Sequence, residues 1–403
     1  MKFSHLADCH IGSWREERLN TCSTEAFTKA LDMSVEENVD FILIAGDIFN
    51  TSLPGIEKVK IVTKKLREVK EKGIPIYIIP GSHDFSPTGK TMVDVLEHAG
   101  LWHNVMRGVA TENKLKLHWT IDKKTGVKIT GMLGKKGMLE KKWYEQLDYE
   151  SIQKEEGEKI FLFHSAITEL KPDGLEHMDS QPLSLLPKGC LYYAGGHVHS
   201  PSAYSNEVYS KIVYPGPLFP NSIAELEKLK HGGFYLYQNG EALYKPIILH
   251  PTVSLHINAE NEKSSDVQKK ILQEIEENTL TNAIVIIRVN GELAEGKTSD
   301  LDWKRIKQVA EEKGAWHMMR NTSQLRTKEF KEIMIKGETT EEIEEKVFLE
   351  HTGQFQSSFI SKEEQHALTR TLFKTLNTEK HEGERIIDFE TRMKKEVEEI
   401  LKI

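Results

Sequence analysis

Disulfide chemistry has little to work with in this chain: its 403 residues include three cysteines, Cys9, Cys22 and Cys190, in no zinc-type pairing. That excludes a disulfide scaffold and a zinc ribbon, and it suits a reducing cytoplasm. Long apolar runs are missing too. None approaches the roughly 18 residues that a membrane helix needs, and the N-terminus lacks the layout of a signal peptide. The expectation is a soluble, cytoplasmic protein with no membrane partner. A surplus of positive charge is also absent, the formal net charge being -8. Proteins that coat themselves in nucleic acid cluster Lys and Arg against phosphates, so the balance argues against such a coat. Local basic stretches survive, such as Lys135, Lys136, Lys141 and Lys142 in "GKKGMLEKKW", although a solvated face explains any one of them. The length allows two or three domains of roughly 100 to 200 residues each.

What is present is a repeated design. Over the first 250 residues short apolar runs alternate with helical patterns, the signature of an α/β protein built from β-α-β units. "FILIAGD", "IPIYIIPGSHD", "KIFLFHS" and "CLYYAGGHVHS" each read as a buried strand that ends in Asp or His. Val59, Val62, Leu66 and Val69 recur at helical spacing ahead of Gly73, which predicts an amphipathic helix with a glycine stop.

In open α/β sheets functional groups gather beyond the carboxyl ends of the strands. This chain places there Asp8 and His10, Asp47, His83 and Asp84, His164, and His197 and His199. Singly, each is explained as a helix cap, a turn residue or a hydrogen-bonded histidine. Five strand ends in succession are not explained that way. In an extended D-x-H or H-x-H, positions i and i+2 share a side, so both side chains of a pair can reach one ion. Mixed imidazole and carboxylate donors suit Mn, Fe or Zn. Asp47 is the natural bridge between two ions, and His83, with Asp84 beside it, is the group to protonate a leaving alcohol. The glycines before Asp47, Ser82 and His197 should let backbone approach bound oxygens closely. Two metals about 3.5 to 4 Å apart suit an in-line phosphoryl displacement.

The ordered series "DCH", "GD", "GSHD", "H" and "GHVH" resembles the calcineurin-like metallophosphoesterases over about residues 1 to 250. "GDIFNTS", "PGSHDFSPTGKTMVDVLEHAGL", "HSAI" and "YPGPLFP" look like the nuclease subunit of double-strand-break repair complexes, the SbcD and meiotic-recombination-eleven family. The resemblance implies a β-sandwich flanked by helices. It also implies two Mn2+ ions, one on Asp8, His10, Asp47 and His199, the other on Asp47, Ser82, His164 and His197, with His83 as general acid. The implied activity is 3′-to-5′ exonuclease action on duplex DNA ends and endonuclease action on single strands. The implied partners are DNA, a second copy of the chain, and an SMC-like ABC ATPase of the Rad-fifty or SbcC type, in a nucleoid-associated setting. Two positions depart from the pattern. Ser82 replaces a ligating Asn, which predicts a looser second metal, and Asn50 stands where several members carry a second catalytic histidine. Arg15, Arg18, Lys90, Lys135 and Lys136 are the candidates for DNA contact. Competing readings are a phosphoesterase for a small or phosphoprotein substrate, and a weakly catalytic scaffold that binds DNA ends.

Near residue 250 the composition turns polar and acidic and the Asp/His strand ends cease. The expected layout is a nuclease domain over 1–250, a small α+β capping, DNA-binding domain over 251–335, and a linker with C-terminal helices over 336–403. The capping segment should hold a helix over Val267 to Ile275, the strand "NAIVIIRVN" and a helix over Trp303 to Glu312. Ser361 and Glu364 form a capping-box pattern before the stripe Leu368, Leu372, Leu376. Ile386, Phe389, Met393, Val397, Ile400 and Leu401 form another stripe. Such helices pack by default on their own protein; the resemblance turns them into anchors for the ATPase. "GELAEGKT", residues 291 to 298, matches the P-loop pattern after a strand and before a helix. Glu292 and Glu295 oppose a polyphosphate there, and no Walker-B strand follows. "SPTGKT" at 86 to 91 fails because Asp84 stands at the first glycine.

Overall fold

The apolar runs carry side chains for two different cores. In the strand Phe41–Ala45, Ile42 and Ile44 enter one buried cluster while Phe41, Leu43 and Ala45 enter another. A strand covered on both faces must be apolar throughout, which is why these runs do not alternate with polar residues. A computed structural model describes residues 1–86, 91–111, 114–135, 137, 139–327, 362–378, 380–381, 384 and 386–401. Lys90, Lys136, Ser361 and the linker over 336–361 lie outside these residues, as does part of "SPTGKT".

Two six-stranded sheets form a sandwich. The first has the order Glu241–Ile247, Gly232–Gln238, Lys2–Leu6, Phe41–Ala45, Ile76–Ile79, His103–Asn104. Its last four strands run parallel, and Gly232–Gln238 pairs antiparallel to Lys2–Leu6. The second has the order Ser202–Tyr204, Lys211–Tyr214, Tyr192–Gly196, Lys159–His164, Lys128–Met132, Thr120–Ile121. Its four central strands are parallel. Between the sheets Phe3, Phe41 and Leu43 meet Ile160, Leu162 and Tyr192 in one core, with Phe3 stacked on Phe41 and edge-on to Tyr192.

Helices cover the outer face of the first sheet. Helix Ile56–Glu71 buries Val59, Val62, Leu66 and Val69, the four residues of the predicted stripe, and Gly73 follows at φ 74°. Helix Glu17–Glu36 is capped by the Glu16 carboxylate, which accepts from the Leu19 amide, and buries Leu19, Cys22, Phe27 and Leu31.

The described residues divide into two compact units. The first takes Met1–Ser254 with Thr279–Ile286 and Ala310–Met319; the second takes Leu255–Asn278, Ile287–Val309 and Arg320–Ile403. A three-stranded sheet of Thr252–Asn258, Ile284–Leu293 and His317–Thr327 has Ile284–Leu293 at its centre. Helix Ser264–Glu277 buries Val267, Ile271 and Ile275, and a further helix spans Trp303–Glu312. The C-terminal helices span Lys362–Leu376 and Ile386–Leu401. Their stripes are only partly covered: Met393 is buried, whereas Leu376 and Leu401 are 63% and 38% exposed. No described helix is long and apolar enough to cross a membrane.

The P-loop match dissolves in three dimensions. Strand Ile284–Leu293 runs through Gly291, and Thr298–Asp300 is a single 3-10 turn with no α-helix opening at the loop. The Lys297 amide donates to Asp300 Oδ2 at 2.7 Å, and a Cβ at Gly296 would sit 2.3 Å from Ser264 Oγ.

Candidate metal centre

Strand Lys2–Leu6 stops before its polar end. Asp8 and His10 adopt φ 50° and 41°, and Asp47 and His197 adopt φ 51° and 83°. The expected extended D-x-H is therefore corrected: these residues leave their strands in the left-handed region, which Asp and His tolerate better than most side chains. The chain after the first strand then zips along the chain after the second. The Asp8 amide donates to Gly46 O at 3.1 Å, the His10 amide to Asp47 O at 2.9 Å and the Ile11 amide to Ile48 O at 3.0 Å. Cys9, between the two, is buried in the core under the helices. Burial, then Asp8, pushes its thiol far above the usual range, which leaves it inert.

The side chains converge. His10 Nε2 lies 3.2 Å from His199 Nε2 and 3.6 Å from Asp47 Oδ2. His164 Nε2 is 3.2 Å from Asp47 Oδ2, and His199 Nε2 is 3.8 Å from Asp8 Oδ1. Among the described residues three groups have donor atoms close enough to hold an ion: Asp8, His10 and His199; His10, Asp47 and His83; and Asp8, Asp47 and His164. Ser82 Oγ lies 3.4 Å from Asp47 Oδ2, and the His197 ring is 5.3 Å from that of His164. The Asp8 carboxylate accepts the His197 amide at 2.9 and 3.1 Å, and Asp47 Oδ1 accepts the His83 amide at 2.8 Å.

Chemistry of the donor set fits metal ions. His164 Nδ1 bonds Ala45 O at 2.8 Å, so its Nε2 carries the free lone pair when the ring is neutral. That Nε2 is buried and faces Asp47 Oδ2 at 3.2 Å without the geometry of a hydrogen bond, an arrangement that is costly unless something else occupies it. Burial raises the Asp8 carboxyl, and it drops His10 to about 3 and His197 to about 4. For Asp47 burial acts upward, but His164, His10 and the His83 amide together hold the carboxyl well below its usual range. His164 is raised in return: burial opposes its charge, and Asp47 and Asp8 overcome that. Without a cation the cluster recruits positive charge from an imidazole, and an arriving cation would displace that proton.

Among the described residues no side-chain hydrogen bond joins Asp84 to His83. The Asp84 carboxylate accepts the amides of Ile48, Phe49 and Gly81 at 3.1, 3.1 and 3.0 Å, clamping the loop that carries Asp47 to the one that carries Ser82. Burial, then Asp47, pushes it up to about 6. His83 is oriented instead by Asn50, whose backbone carbonyl takes its Nδ1 at 2.9 Å.

The motif glycines make room within the protein itself. A Cβ on Gly46 would lie 2.3 Å from His164 Nδ1, one on Gly81 would lie 2.2 Å from Asp47 Oδ1, and one on Gly196 would lie 2.0 Å from Ala45 O. Gly46 and Gly196 let the two sheets close on each other, and Gly81 lets its loop pass close to Asp47.

The cluster floors a cavity of about 350 Å³ that includes His10, Asp47, His83, His199, Glu225 and Lys228. A neighbouring recess of about 250 Å³ shares Ser82, His83 and His197 and adds Lys135 and His164. Lys135 Nζ sits 3.8 Å over the Trp143 ring and 5.1 Å from that of Phe85. Arg15 and Arg18 line neither recess, and Arg18 Nη1 donates to Trp316 O at 2.8 Å. Sequence reasoning missed Glu225 and Lys228. The readable signal was "SIAE": Ser222 caps helix Ile223–Leu229 by accepting from the Glu225 amide.

Residues 1–201 match the family model described as calcineurin-like phosphoesterase, and this part of the chain is a calcineurin-like metallophosphoesterase domain, of a family that uses a dinuclear metal site. Among curated proteins the chain is similar to the DNA double-strand break repair protein Mre11 of Archaeoglobus fulgidus, 27% identical over 367 residues, covering 84% of this chain and 77% of that one. It is 30% identical to the Mre11 protein of Methanococcus maripaludis over 59% of this chain and 62% of that one. To that of Methanopyrus kandleri it is 29% identical, over 59% of this chain and 54% of the relative.

Proposed function

We propose that the protein is a manganese-dependent DNA nuclease that processes double-strand ends as a 3′-to-5′ exonuclease, cuts single strands as an endonuclease, and works with an SMC-like ATPase of the Rad-fifty type. The observation that carries this reading is the convergence of five Asp and His side chains, Asp8, His10, Asp47, His164 and His199, beside a separately oriented histidine, His83, in a chain similar to double-strand break repair proteins. In this reading Asp8, His10, Asp47 and His199 hold one Mn2+, and Asp47, Ser82, His164 and His197 hold the other. Bound there, the pair supplies charge neutralisation at the phosphodiester and a water acidic enough to ionise near neutral pH.

The remaining work belongs to the side chains. His83, its Nδ1 tied to the Asn50 carbonyl, keeps Nε2 to protonate the leaving oxygen. The backbone carbonyl does this whatever residue occupies position 50, so Asn50 costs the site a second histidine without disturbing the first. Asp84 acts indirectly, by holding the Asp47 and Ser82 loops together. Lys228 and Lys135, one in each recess, supply cations for the phosphates on either side of the scissile bond.

Two surfaces suit the proposed partners. Leu53, Ile56 and Val95 are 73%, 75% and 57% exposed, and the Met92 amide bonds Ser52 O, joining their segments; this face would build the homodimer. The stripes of the C-terminal helices, with Leu376 and Leu401 exposed, would anchor the ATPase by laying an apolar face into a groove.

End-labelled duplex DNA is the test. Manganese should drive release of nucleotides from the 3′ ends, and His83→Ala should slow it by roughly 10²- to 10⁴-fold, the usual contribution of a general acid, with manganese binding retained. Hydrolysis of a chromogenic monoester with duplex DNA untouched would favour the small-substrate phosphoesterase. DNA-end binding with no His83-dependent cutting would favour the scaffold.

A further inference from the structure

We infer that Glu225 is a positioning residue of the metal centre, fixing the tautomer and ring orientation of His199. The inference rests on the metal-binding reading above and goes beyond it, since Glu225 belongs to none of the strand-end motifs.

Glu225 Oε1 lies 3.0 Å from His199 Nδ1, across 26 residues of sequence. A carboxylate only accepts, so the imidazole proton sits on Nδ1 and the Nε2 lone pair is left free. That Nε2 is the atom 3.2 Å from His10 Nε2 and 3.8 Å from Asp8 Oδ1. With the opposite tautomer a proton would occupy the space where these donors meet.

The carboxylate is itself held. Its other oxygen, Oε2, accepts the Asn221 amide at 2.8 Å, and the Glu225 amide donates to Ser222 Oγ at 3.2 Å. Glu225 thus answers two demands at once: one oxygen closes the turn that starts helix Ile223–Leu229, and the other orients a ring on the far side of the cavity wall. Lys228, one turn on, lines the same cavity. Partners of this kind, behind a ligating histidine, are worth roughly 10- to 100-fold in metal affinity.

The test separates tautomer from stability. Long-range 1H–15N spectra of the metal-free wild type should show His199 as the Nδ1–H form, whereas Glu225→Ala should show a mixture or the Nε2–H form. Glu225→Gln keeps an acceptor oxygen and serves as the conservative variant. Calorimetric manganese titrations should show two sites in the wild type, one of them weakened roughly 10- to 100-fold in Glu225→Ala, with partial rescue in Glu225→Gln and urea unfolding in EDTA marking any loss of fold. An unchanged His199 tautomer, or both manganese affinities unchanged in a folded Glu225→Ala, overturns the inference. If the wild type binds no manganese, the metal reading fails first and the inference falls with it.

Discussion

Gly196→Ala should wound this protein more than any other single methyl added at the site. Gly196 pairs with His164 in register on adjacent parallel strands, and a Cβ there would stand 2.0 Å from Ala45 O on the opposite sheet and 2.7 Å from His164 Nδ1. Both atoms belong to the hydrogen bond that orients His164. The nearest obstacle is backbone, so no side-chain rotation relieves it. Overpacking in a closed core costs about 1–3 kcal/mol, and disturbing a buried hydrogen bond about 1–3 kcal/mol more. The expected loss is therefore about 2–6 kcal/mol, a large share of the roughly 5–15 kcal/mol that holds a domain together. Urea unfolding in EDTA measures it without a contribution from bound metal. Gly55→Ala is the control, because nothing lies within 4 Å of a Cβ there and no left-handed backbone is involved. A loss under about 1 kcal/mol for Gly196→Ala, measured against that control, would refute the claim that glycine lets the sheets meet at the site.

Two further outcomes follow from other residues. His5, fully buried with Nδ1 3.0 Å from the Tyr192 hydroxyl, is lowered by burial to about 3. As pH falls below about 6.5 the unfolded chain takes a proton that the native ring refuses, so His5 should remove about 1 kcal/mol of stability between pH 7 and 5.5; His5→Asn should flatten the profile by that amount, and parallel profiles would sink the idea. Ser82→Asn places a longer carbonyl donor beside Asp47 and should tighten the weaker manganese site by roughly tenfold, a gain of about 1.4 kcal/mol; a calorimetric titration showing no change would mean that position 82 does not ligate.

Much of the first sheet and its cover was legible because burial on two faces forces continuous apolar runs, and because Val59, Val62, Leu66 and Val69 repeat at the helical period. Helix Trp303–Glu312 was legible for the same reason. The gathering of Asp8, Asp47, His164 and His199 was legible because parallel strands deliver their ends to one edge. How they gather was not. Period-two reasoning presumes extended backbone, and four of the predicted ligands turn left-handed instead. Adjacency in sequence suggested that Asp84 serves His83, but three backbone amides compete for that carboxylate and win it. Glu225 escaped because a glutamate three residues after a capping serine reads as part of a helix start, and nothing in a linear pattern reports where its second oxygen points.

Those four left-handed candidate ligands carry a lesson for engineering. Asp8, His10, Asp47 and His197 each hold a backbone that costs an L-residue on the order of 1–2 kcal/mol and costs glycine almost nothing. An optimiser that scores only melting temperature would replace them first and report success. Thermostabilising campaigns on this scaffold should freeze these positions from the outset and seek their gains elsewhere.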